Sequence, residues 1–395
     1  MQIAGIVCEY NPIHLGHIGH IEKTKQALGG CAIVCVMSGN YVQRGDVAVF
    51  GKHIRAATTV SCGADLVVEL PTPYALSSAE GFAEAGIYIL EKLGICDFIS
   101  FGSESGDINI LKKAASEVVT PKANELIIKG VETGISYAAA VQKAADEIMG
   151  QDSYVLKSPN NLLGIEYLKA LSKLESKMEA ITVNRTGAAH DSDEGYSASG
   201  LRKALRSGNE PWPLMPQIAS EMFRKEIEAG RGPVFLKDME PMMLSRIRAI
   251  RDFSQIPNVT EGLDKRFEKY AGEATIELML EKIKTKRYTM SRIRRMVMCA
   301  ALGITAQDTK KPPPYIRVLA MNDTGKKILS KARKDAELPI ITKPASVQKL
   351  SERAINLFNL ESSATDFYAL AFKDINSRPG KSEWLKSPYV AKVCK

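Results

Sequence analysis

The chain has few of the residues that usually hold metal ions or cross-links. Its 395 residues include five histidines, seven cysteines and two tryptophans, and no two cysteines are spaced as a CxxC pair. The cysteines are scattered and lie mostly in apolar segments, where a free thiol behaves as a small hydrophobic group. The sequence therefore argues against a disulfide framework and against a cysteine-based zinc site.

Long apolar runs are also lacking. The apolar stretches, such as residues 31–37, are far shorter than the roughly 20 residues of a membrane-spanning helix. The first residues lack the basic start and the small-residue cleavage site of a secretory signal, so we expect a cytoplasmic protein. A composition of 45% hydrophobic and 25% charged residues is that of a globular protein, not of a disordered or fibrous one, and 395 residues are enough for two or three domains.

The net charge is moderately positive, at +8. Two late segments concentrate it: residues 281–295 contain seven Lys or Arg against one acid, and residues 309–334 contain eight against one. A single run of this kind is usually a solvated helix face. Two runs, with Tyr288 and Tyr315 interleaved, indicate a surface that follows a phosphate backbone, and we expect structured RNA as the partner.

Short apolar segments alternate with helical segments in the first half of the chain. Buried strands are predicted at residues 3–10, 31–39, 65–71, 95–104 and 178–185. Strands that are apolar throughout and are separated by helices indicate right-handed βαβ units. We therefore predict an α/β fold with a Rossmann-like, doubly wound parallel sheet, in which ligands bind outside the carboxyl ends of the strands.

A cluster of prolines marks the best candidate boundary between domains. Three prolines fall within six residues of the segment 208–216, a composition typical of a linker. We predict a nucleotide-binding catalytic domain of residues 1–208, followed by a mainly helical, basic region of residues 217–395 that binds RNA.

The sequence His14-Leu15-Gly16-His17 lies between the first predicted strand and the first predicted helix. A helix N-terminus presents free N–H groups and a positive dipole end to an anion. Gly16 leaves room for a nucleotide, and the two imidazoles can donate hydrogen bonds to a phosphate as negative charge develops. The segment resembles the HxGH signature of the class I aminoacyl-tRNA synthetase and nucleotidyltransferase superfamily, whose members attack the α-phosphate of ATP and expel pyrophosphate.

Other interpretations of these histidines remain open. His14 and His17 are also suited to capping the helix. Together with His20 they have a helical three-residue spacing that could hold zinc, although no carboxylate or cysteine is placed to complete such a site. His20 has no role in the HxGH signature, and we expect it at the helix surface or at the edge of bound ATP.

A serine-rich turn before a later helix is a second candidate phosphate site. Ser197, Ser199 and Arg202 lie in the sequence SASGLR, which is similar to the ISSTxIR turn of the same superfamily, although Gly200 departs from it. Hydroxyl groups, backbone N–H groups and an arginine at a helix start can clamp phosphate. Serine and arginine are common at helix starts, so this turn alone is a weak signal. Its combination with the HxGH segment is what supports a phosphate site.

Four further candidate residues lie at the ends of predicted strands or helices. Gly102 lies at the end of a buried strand where the backbone could approach an adenosine, and Arg185 lies at the end of the last predicted strand. Asn160 and Asn161 precede a helix, where an asparagine is also a common N-cap. Each of these positions is equally compatible with a plain turn or cap.

Five segments in this order carry a closer resemblance: GIVCEYNPIHLGH, MSGNYVQRGDVAVFGKHIRA, FGSE, SPNNLLGIEYLKAL and SASGLRKAL. Together they resemble the tRNA(Met) cytidine acetate ligase family, strongly in the first half of the chain and more loosely beyond it. The resemblance implies an enzyme that activates acetate with ATP to acetyl-adenylate. It further implies transfer of the acetyl group to N4 of the wobble cytidine of elongator tRNA(Met).

The resemblance also implies the roles of site residues. His14 and His17 would stabilise charge on the reacting phosphate, while Ser197, Ser199 and Arg202 hold pyrophosphate. Mg²⁺ is expected with ATP, but no protein ligand for a metal is identifiable. The implied ATP-binding residues are Val7, Cys8, Glu9, Tyr10, Asn11, Pro12, Ile13, His14, Leu15, Gly16, His17, Ile18, Gly19, His20, Gly102, Arg185 and one of the pair Asn160 and Asn161, between which the sequence does not decide.

Two other functions remain as alternatives. A cofactor adenylyltransferase of the pantetheine-phosphate or nicotinate-mononucleotide type shares HxGH, but such enzymes are usually little more than the nucleotide domain. A non-catalytic RNA-binding protein would not need to retain His14, Gly16 and His17. Exchange of labelled pyrophosphate into ATP, driven by acetate or by another substrate, distinguishes the three.

Overall fold

A computed structural model describes residues 1–185, 197–260 and 262–391 of the chain. At its centre is an eight-stranded sheet, and a separate two-stranded hairpin lies beside it. The strands are β1 (Ile3–Cys8), β2 (Ala32–Ser38), β3 (Tyr41–Val42), β4 (Asp46–Val47), β5 (Leu66–Leu70), β6 (Phe98–Ser103), β7 (Glu179–Asn184), β8 (Ile316–Met321), β9 (Ile340–Ile341) and β10 (Tyr389–Val390).

The large sheet has the strand order β10-β8-β5-β2-β1-β6-β7, with β9 paired to β8. Strands β5, β2, β1, β6 and β7 are parallel to one another, whereas β8 runs antiparallel to β5. Parallel strands need crossover connections, and helices accordingly lie between these five parallel strands along the chain. The predicted Rossmann-like parallel sheet is confirmed, and all five strands predicted in the first half are present.

Helices make up most of the remaining structure. None of those within the described ranges is both long and apolar enough to span a membrane. They are α1 (Leu15–Ala27), α2 (Lys52–Ser61), α3 (Thr72–Ala75), α4 (Ala79–Lys92), α5 (Ile108–Glu117), α6 (Pro121–Glu132), α7 (Tyr137–Met149), α8 (Pro159–Lys173), α9 (Ala198–Arg206), α10 (Gln217–Glu228), α11 (Leu236–Arg248), α12 (Leu263–Tyr270), α13 (Ile276–Ile283), α14 (Met290–Leu302), α15 (Ala306–Thr309), α16 (Asp323–Asp335) and α17 (Glu352–Ala369).

The central strands are buried on both faces, as their continuous apolar sequences predict. In β2, Val34 and Val36 pack into a core with residues of α4 and α8, whereas Ile33 and Cys35 pack into a second core with residues of α1 and α2. Alternate residues of a strand point to opposite faces of the sheet. The sheet is therefore covered by helices on both sides, which leaves the ends of the strands for a ligand.

The region after residue 217 is mainly helical, but it also completes the sheet. Strands β8, β9 and β10 all come from it, and β8 pairs directly with β5. A third core is built largely from α11, α12, α13 and α14. The division into residues 1–208 and 217–395 stays a prediction, and the two ranges share one sheet.

Ionisable side chains meet in the interior where α2, β5, β8 and α17 come together. Lys52 Nζ lies 2.6 Å from Glu69 Oε1 and 3.3 Å from Glu383 Oε2, and Arg317 Nη2 lies 2.5 Å from Glu383 Oε1. Burial of charge is costly unless it is paired, so these contacts fix the C-terminal segments against the sheet. The buried charge cluster consists of Lys52, His53, Glu69, Arg317, Glu361 and Glu383.

Candidate active site

The HxGH segment forms the start of α1. His14 is the N-cap residue, and its Nδ1 accepts a hydrogen bond from the Gly16 backbone N–H at 3.1 Å. His17 Nδ1 accepts one from the His14 backbone N–H at 3.2 Å. The two imidazole rings stack with their centroids 3.7 Å apart. The cap interpretation is therefore structurally correct, and it also determines how the rings are oriented.

The caps fix the protonation pattern of both imidazoles. A ring nitrogen that accepts a hydrogen bond carries no proton, so each neutral ring has its proton on Nε2. His14 and His17 are thus held as Nε2–H donors at a helix N-terminus, where the helix dipole already favours an anion. This pair suits stabilisation of a phosphate on which negative charge grows.

Residue 16 must be small because the imidazole ring of His14 lies next to it. A Cβ atom added to Gly16 would lie 2.9 Å from His14 Cε1, closer than side chains tolerate. On the other side, Tyr10 has a φ of 43° and its ring centroid lies 4.7 Å from that of His17. Non-glycine residues adopt this left-handed conformation at an energetic cost and often near functional sites. The loop therefore constrains both imidazoles from two directions.

The predicted stretch of residues 7–20 differs widely in accessibility. Cys8, Tyr10, Asn11, Pro12, Ile13 and His14 are buried, Leu15 and Gly16 are exposed, and Val7, Glu9, His17, Ile18, Gly19 and His20 are half-buried. A ligand at this loop would meet the backbone and side chains at the start of α1. Residues such as Ile13, which is 0% exposed, support the loop from within.

Arg55 holds the ends of two strands together beneath this loop. Its guanidinium is fully buried and donates to the carbonyl oxygens of Glu9, Ser38, Gly39 and Phe50. The negative ends of four carbonyl dipoles stabilise the buried guanidinium charge and match its fixed fork of N–H donors. Arg55 therefore positions the carboxyl ends of β1 and β2 and is not available to an external phosphate.

The serine-rich turn lies against the HxGH segment. Ser197 caps α9, its Oγ accepting from the Gly200 backbone N–H at 3.1 Å, and it lies 3.1 Å from Ser199 Oγ. Arg202 Nη1 donates to the Asn11 backbone oxygen at 2.8 Å. This contact brings the turn at the start of α9 against the loop before α1, so hydroxyl, imidazole and guanidinium groups come from adjoining segments, as expected for a phosphate clamp.

Glu9 connects the same loop to the hairpin formed by β3 and β4. Its Oε1 accepts a hydrogen bond from the Gln43 backbone N–H at 2.7 Å. Burial raises the pKa of the Glu9 carboxyl, and this hydrogen bond, followed by the charges of Arg202, Arg55 and Arg44, opposes that rise. Glu9 is therefore a structural acceptor that ties the hairpin to β1.

A second group of predicted residues gathers at the ends of β6 and β7. A Cβ atom at Gly102 would lie 2.9 Å from Arg185 Cγ, so the glycine makes room for that arginine. Arg185 Nη1 donates to Asn160 Oδ1 at 3.0 Å. Because β6 pairs with β1 in the sheet, this group and the HxGH segment lie at the same carboxyl edge.

The two asparagines have different surroundings. Asn161 is 1% exposed, and its Oδ1 accepts from the backbone N–H groups of Glu104 and Ser105 at 2.9 and 3.1 Å. Asn160 is half-buried and faces Arg185. The Glu104 carboxylate accepts from the backbone N–H groups of both asparagines. Asn161 thus holds the loop after β6, and Asn160 is the better placed of the two for a ligand.

His20 turns away from the helix surface toward the sheet. Its Nε2 lies 2.9 Å from Ser100 Oγ, which also lies 2.7 Å from Thr24 Oγ1. Burial, reinforced by the charge of Arg185, lowers the pKa of His20 to about 4, so the ring is neutral near pH 7. Within the described ranges, no group of three or more His, Cys, Asp and Glu side chains is arranged to hold a metal ion.

Comparison with known proteins places the chain in a family. The model of the HIGH Nucleotidyl Transferase family matches residues 1–383. A tRNA(Met) cytidine acetate ligase of Acetivibrio thermocellus is 35% identical over 98% of this chain and 99% of its own length. The chain belongs to the tRNA(Met) cytidine acetate ligase family. Another such ligase, from Caldanaerobacter subterraneus subsp. tengcongensis, is 37% identical over 95% of this chain and 96% of its own length.

Solved structures of the same family share the whole fold. The apo crystal structure of Thermotoga maritima TmcAL matches with a TM-score of 0.93 and 31% identity, over 99% of both chains. Another crystal structure of that protein, bound with alpha-thio ATP, matches with a TM-score of 0.92 over the same shares. The resemblance of the five sequence segments to the tRNA(Met) cytidine acetate ligase family is confirmed, including the part of the chain after residue 217.

Proposed function

We propose that the chain is an ATP-dependent ligase that forms acetyl-adenylate and acetylates N4 of the wobble cytidine of elongator tRNA(Met). One observation carries the proposal for the site. The hydrogen bond from Arg202 to the Asn11 carbonyl brings the serine-rich turn against the HxGH segment, in a chain that belongs to the tRNA(Met) cytidine acetate ligase family. The names of the relatives supply the substrates, acetate and tRNA(Met).

In the first step, an acetate oxygen attacks the α-phosphorus of ATP, and the bond to the bridging oxygen breaks to release pyrophosphate. His14 and His17 donate from Nε2 to the phosphate as its charge grows, and Ser197 and Arg202 bind the leaving group. Phosphoryl transfer requires mainly positioning and neutralisation of charge. Two neutral donors and one fixed guanidinium therefore suffice, without a covalent nucleophile.

ATP would lie along the carboxyl edge of β1, β6 and β7. The triphosphate would meet the starts of α1 and α9, and Gly102, Asn160 and Arg185 would contact the nucleoside or ribose end. Mg²⁺ prefers several oxygen ligands and readily keeps waters and substrate phosphates among them. We infer that it enters with the phosphates of ATP and neutralises part of their charge.

In the second step, the N4 amine of cytosine attacks the acetyl carbonyl carbon, AMP departs and the amine loses a proton. The N4 lone pair is delocalised into the ring, so the amine is a weak nucleophile and requires an activated acyl group. Anticodon-loop bases are unpaired and can be turned outward, which makes the wobble position accessible. An acetyl-adenylate held at the edge of the sheet meets both requirements.

Some residues of the two basic runs are buried and cannot contact tRNA. Tyr315 and Arg317 are 1% and 2% exposed, and Tyr288 is 7% exposed. The two interleaved tyrosines are therefore packed in cores and do not belong to the basic surface on which the sequence placed them. The remaining basic residues of the two runs are mostly exposed or half-buried, and we assign tRNA backbone contacts to them.

Acetate-dependent exchange of labelled pyrophosphate into ATP tests the first step, and formation of N4-acetylcytidine tests the second. In His17→Asn, the amide oxygen can replace Nδ1 in the cap, but the Nε2 donor is lost. We expect exchange to fall by about 10²-fold, while tRNA binding and thermal stability stay near those of the parent protein. His17→Gln, which offers a donor near the Nε2 position, should recover part of the loss.

The outcomes separate the alternatives. Exchange that depends on pantetheine phosphate or nicotinate mononucleotide, and not on acetate, would replace the ligase proposal by a cofactor adenylyltransferase. No exchange with any of these substrates, combined with tRNA binding, would favour the non-catalytic protein. Equal activity of His17→Asn and the parent protein would show that the proposed histidine donor is wrong.

A further inference from the structure

The hairpin of β3 and β4 lies between the candidate active site and α14. On one side, the Gln43 backbone N–H donates to Glu9 Oε1 at 2.7 Å. On the other side, the Gln43 backbone oxygen accepts from Arg295 Nη1 at 3.3 Å. A single peptide segment therefore contacts both the strand that leads into the HxGH segment and the first turns of a basic helix.

The tip of the hairpin touches the backbone of α14. Gly45 has a φ of 73°, and a Cβ atom added to it would lie 2.7 Å from Arg294 Cβ. Only glycine combines this left-handed conformation with so close an approach. The side chains of Arg44 and Arg294 therefore leave the backbone from adjoining positions, one on the hairpin and one on the helix.

These two arginines differ from their basic neighbours. Arg292 donates to the Asn258 carbonyl and Thr260 Oγ1, and Arg295 donates to Gln43. Arg44 and Arg294 are both exposed, and neither side chain has a hydrogen bond or ion pair with a residue in the described part of the chain, although the charge of Arg44 acts on the Glu9 carboxyl. Two exposed arginines rooted in adjoining backbone segments, neither in an ion pair within the described ranges, add positive charge at one place and attract an anion.

Arginine binds phosphate through paired N–H groups, and two arginines can share one phosphate. The proposed function offers two sources of phosphate: the triphosphate of ATP, which Arg202 would meet, and the backbone of RNA. The exposure of both side chains favours RNA, because Arg294 belongs to α14 and not to the carboxyl edge of the sheet. We propose that Arg44 and Arg294 together bind one backbone phosphate of the tRNA and hold its anticodon loop at the entrance of the active site.

The proposal rests on the proposed function, because it supplies the contact needed for the second step. The test compares Arg44→Ala, Arg294→Ala and the double variant. Lys122→Ala is the matched control, since Lys122 is an exposed basic residue of α6 at a distance from the hairpin in the sequence. The measurements are acetate-dependent pyrophosphate exchange, acetylation of a tRNA(Met) transcript, and binding of that transcript over a range of KCl concentrations.

We expect each single variant to keep the exchange activity and melting temperature of the parent protein. The KM for tRNA should rise about tenfold, and the slope of log affinity against log salt should decrease by about 1. The double variant should lose less than the product of the single effects, because both side chains bind the same phosphate. Arg44→Lys should recover part of the binding, since it keeps the charge without the paired donors.

Three results would overturn the proposal. Loss of exchange in Arg44→Ala with unchanged tRNA affinity would assign Arg44 to the phosphates of ATP. Independent, multiplicative effects would assign the two arginines to separate phosphates, and variants identical to Lys122→Ala would remove both from the interface. Failure of the proposed function would be distinct, since the parent protein itself would then lack acetate-dependent exchange, whereas the salt dependence of tRNA binding does not require catalysis.

Discussion

Replacement of Glu361 by glutamine should make the protein more stable at alkaline pH. Glu361 lies in the buried charge cluster, where both of its oxygens contact Thr72 and Lys52 Nζ is 3.8 Å away. Burial, followed by the charge of Glu69, raises the pKa of Glu361 to about 8. The carboxyl therefore holds a proton at neutral pH, and glutamine has nearly the same shape as the protonated acid.

The protonation state also balances the charges. Lys52 and Arg317 supply two positive charges, whereas Glu69, Glu361 and Glu383 would supply three negative charges if all were ionised. A proton on Glu361 leaves two of each. Since the three carboxyl groups share two cations, the one that keeps its proton removes the excess negative charge from the interior.

The sign of the effect follows from the raised pKa. The ordinary value is 4.5 and the folded value is about 8, so folding favours the protonated form. The resulting stabilisation is complete below the ordinary pKa and is lost as pH rises through the folded pKa. One pKa unit corresponds to about 1.4 kcal/mol. With allowance for relaxation around the buried carboxylate, we expect Glu361→Gln to exceed the parent protein by roughly 2–4 kcal/mol near pH 9.

Urea denaturation of the full chain at about pH 5 and about pH 9 measures this difference through the shift of the unfolding midpoint. Glu281→Gln, at an exposed position of α13, is the control for loss of a carboxylate. Near pH 5 the Glu361→Gln variant should match the parent protein. A stability difference that is the same at both pH values, or larger at acidic pH, would refute a protonated Glu361.

Other variants test the cluster and the site. Lys52→Met should lower stability by about 3–5 kcal/mol, because buried carboxylates lose their cation; a melting temperature equal to that of the parent would contradict this. Asn160→Ala should raise the KM for ATP about tenfold in pyrophosphate exchange, the loss of roughly one hydrogen bond, with stability unchanged. Asn161→Ala should instead cost about 1–3 kcal/mol of stability, since two backbone N–H groups lose their acceptor. A loss of stability in Asn160→Ala and a raised KM for ATP in Asn161→Ala would show that Asn161 is the ATP contact and Asn160 the loop support. Gly102→Ala should displace Arg185 and weaken ATP binding in calorimetry, and unaltered affinity would argue against Arg185 as an ATP contact.

The central sheet was predictable because its signal is local. Strands β1, β2, β5, β6 and β7 are short apolar runs separated by helical segments, and that alternation fixes a parallel sheet. The pairing of β8 with β5 joins residues about 250 positions apart, and such a contact leaves no local pattern. Hairpin strands β3 and β4 have two residues each, too few for a period to be visible.

The candidate site was predictable in part for a similar reason. His14 and His17 lie at a strand-to-helix junction that the sequence itself marks. Asn160 and Asn161 occupy the same helix start, and only the packing of the loop after β6 distinguishes them. Arg317 was counted among the residues of a basic surface, but it is buried in the charge cluster, because composition does not tell a paired interior cation from a solvated one.

Glu104 and Gln43 make contacts that the sequence did not predict, although both residues lie in segments that carry the family resemblance. The Glu104 carboxylate accepts from the first N–H groups of α8, and the Gln43 backbone connects β1 to α14. The signal for Glu104 is its place in the FGSE segment, two residues after Gly102. A backbone donor such as Gln43 N–H has no side-chain signature at all.

The position of β8 sets the order in which the chain can finish folding during synthesis. When residues 1–208 have left the ribosome, β5 is still an open edge of the sheet, and its five residues are all buried in the finished protein. Exposed apolar edges pair readily with other chains. The charges of Lys52 and Glu69 also lack their partners Arg317, Glu361 and Glu383 until the later part of the chain is made. Protection of the nascent chain by chaperones would therefore matter most over the hundred or so residues before β8 emerges.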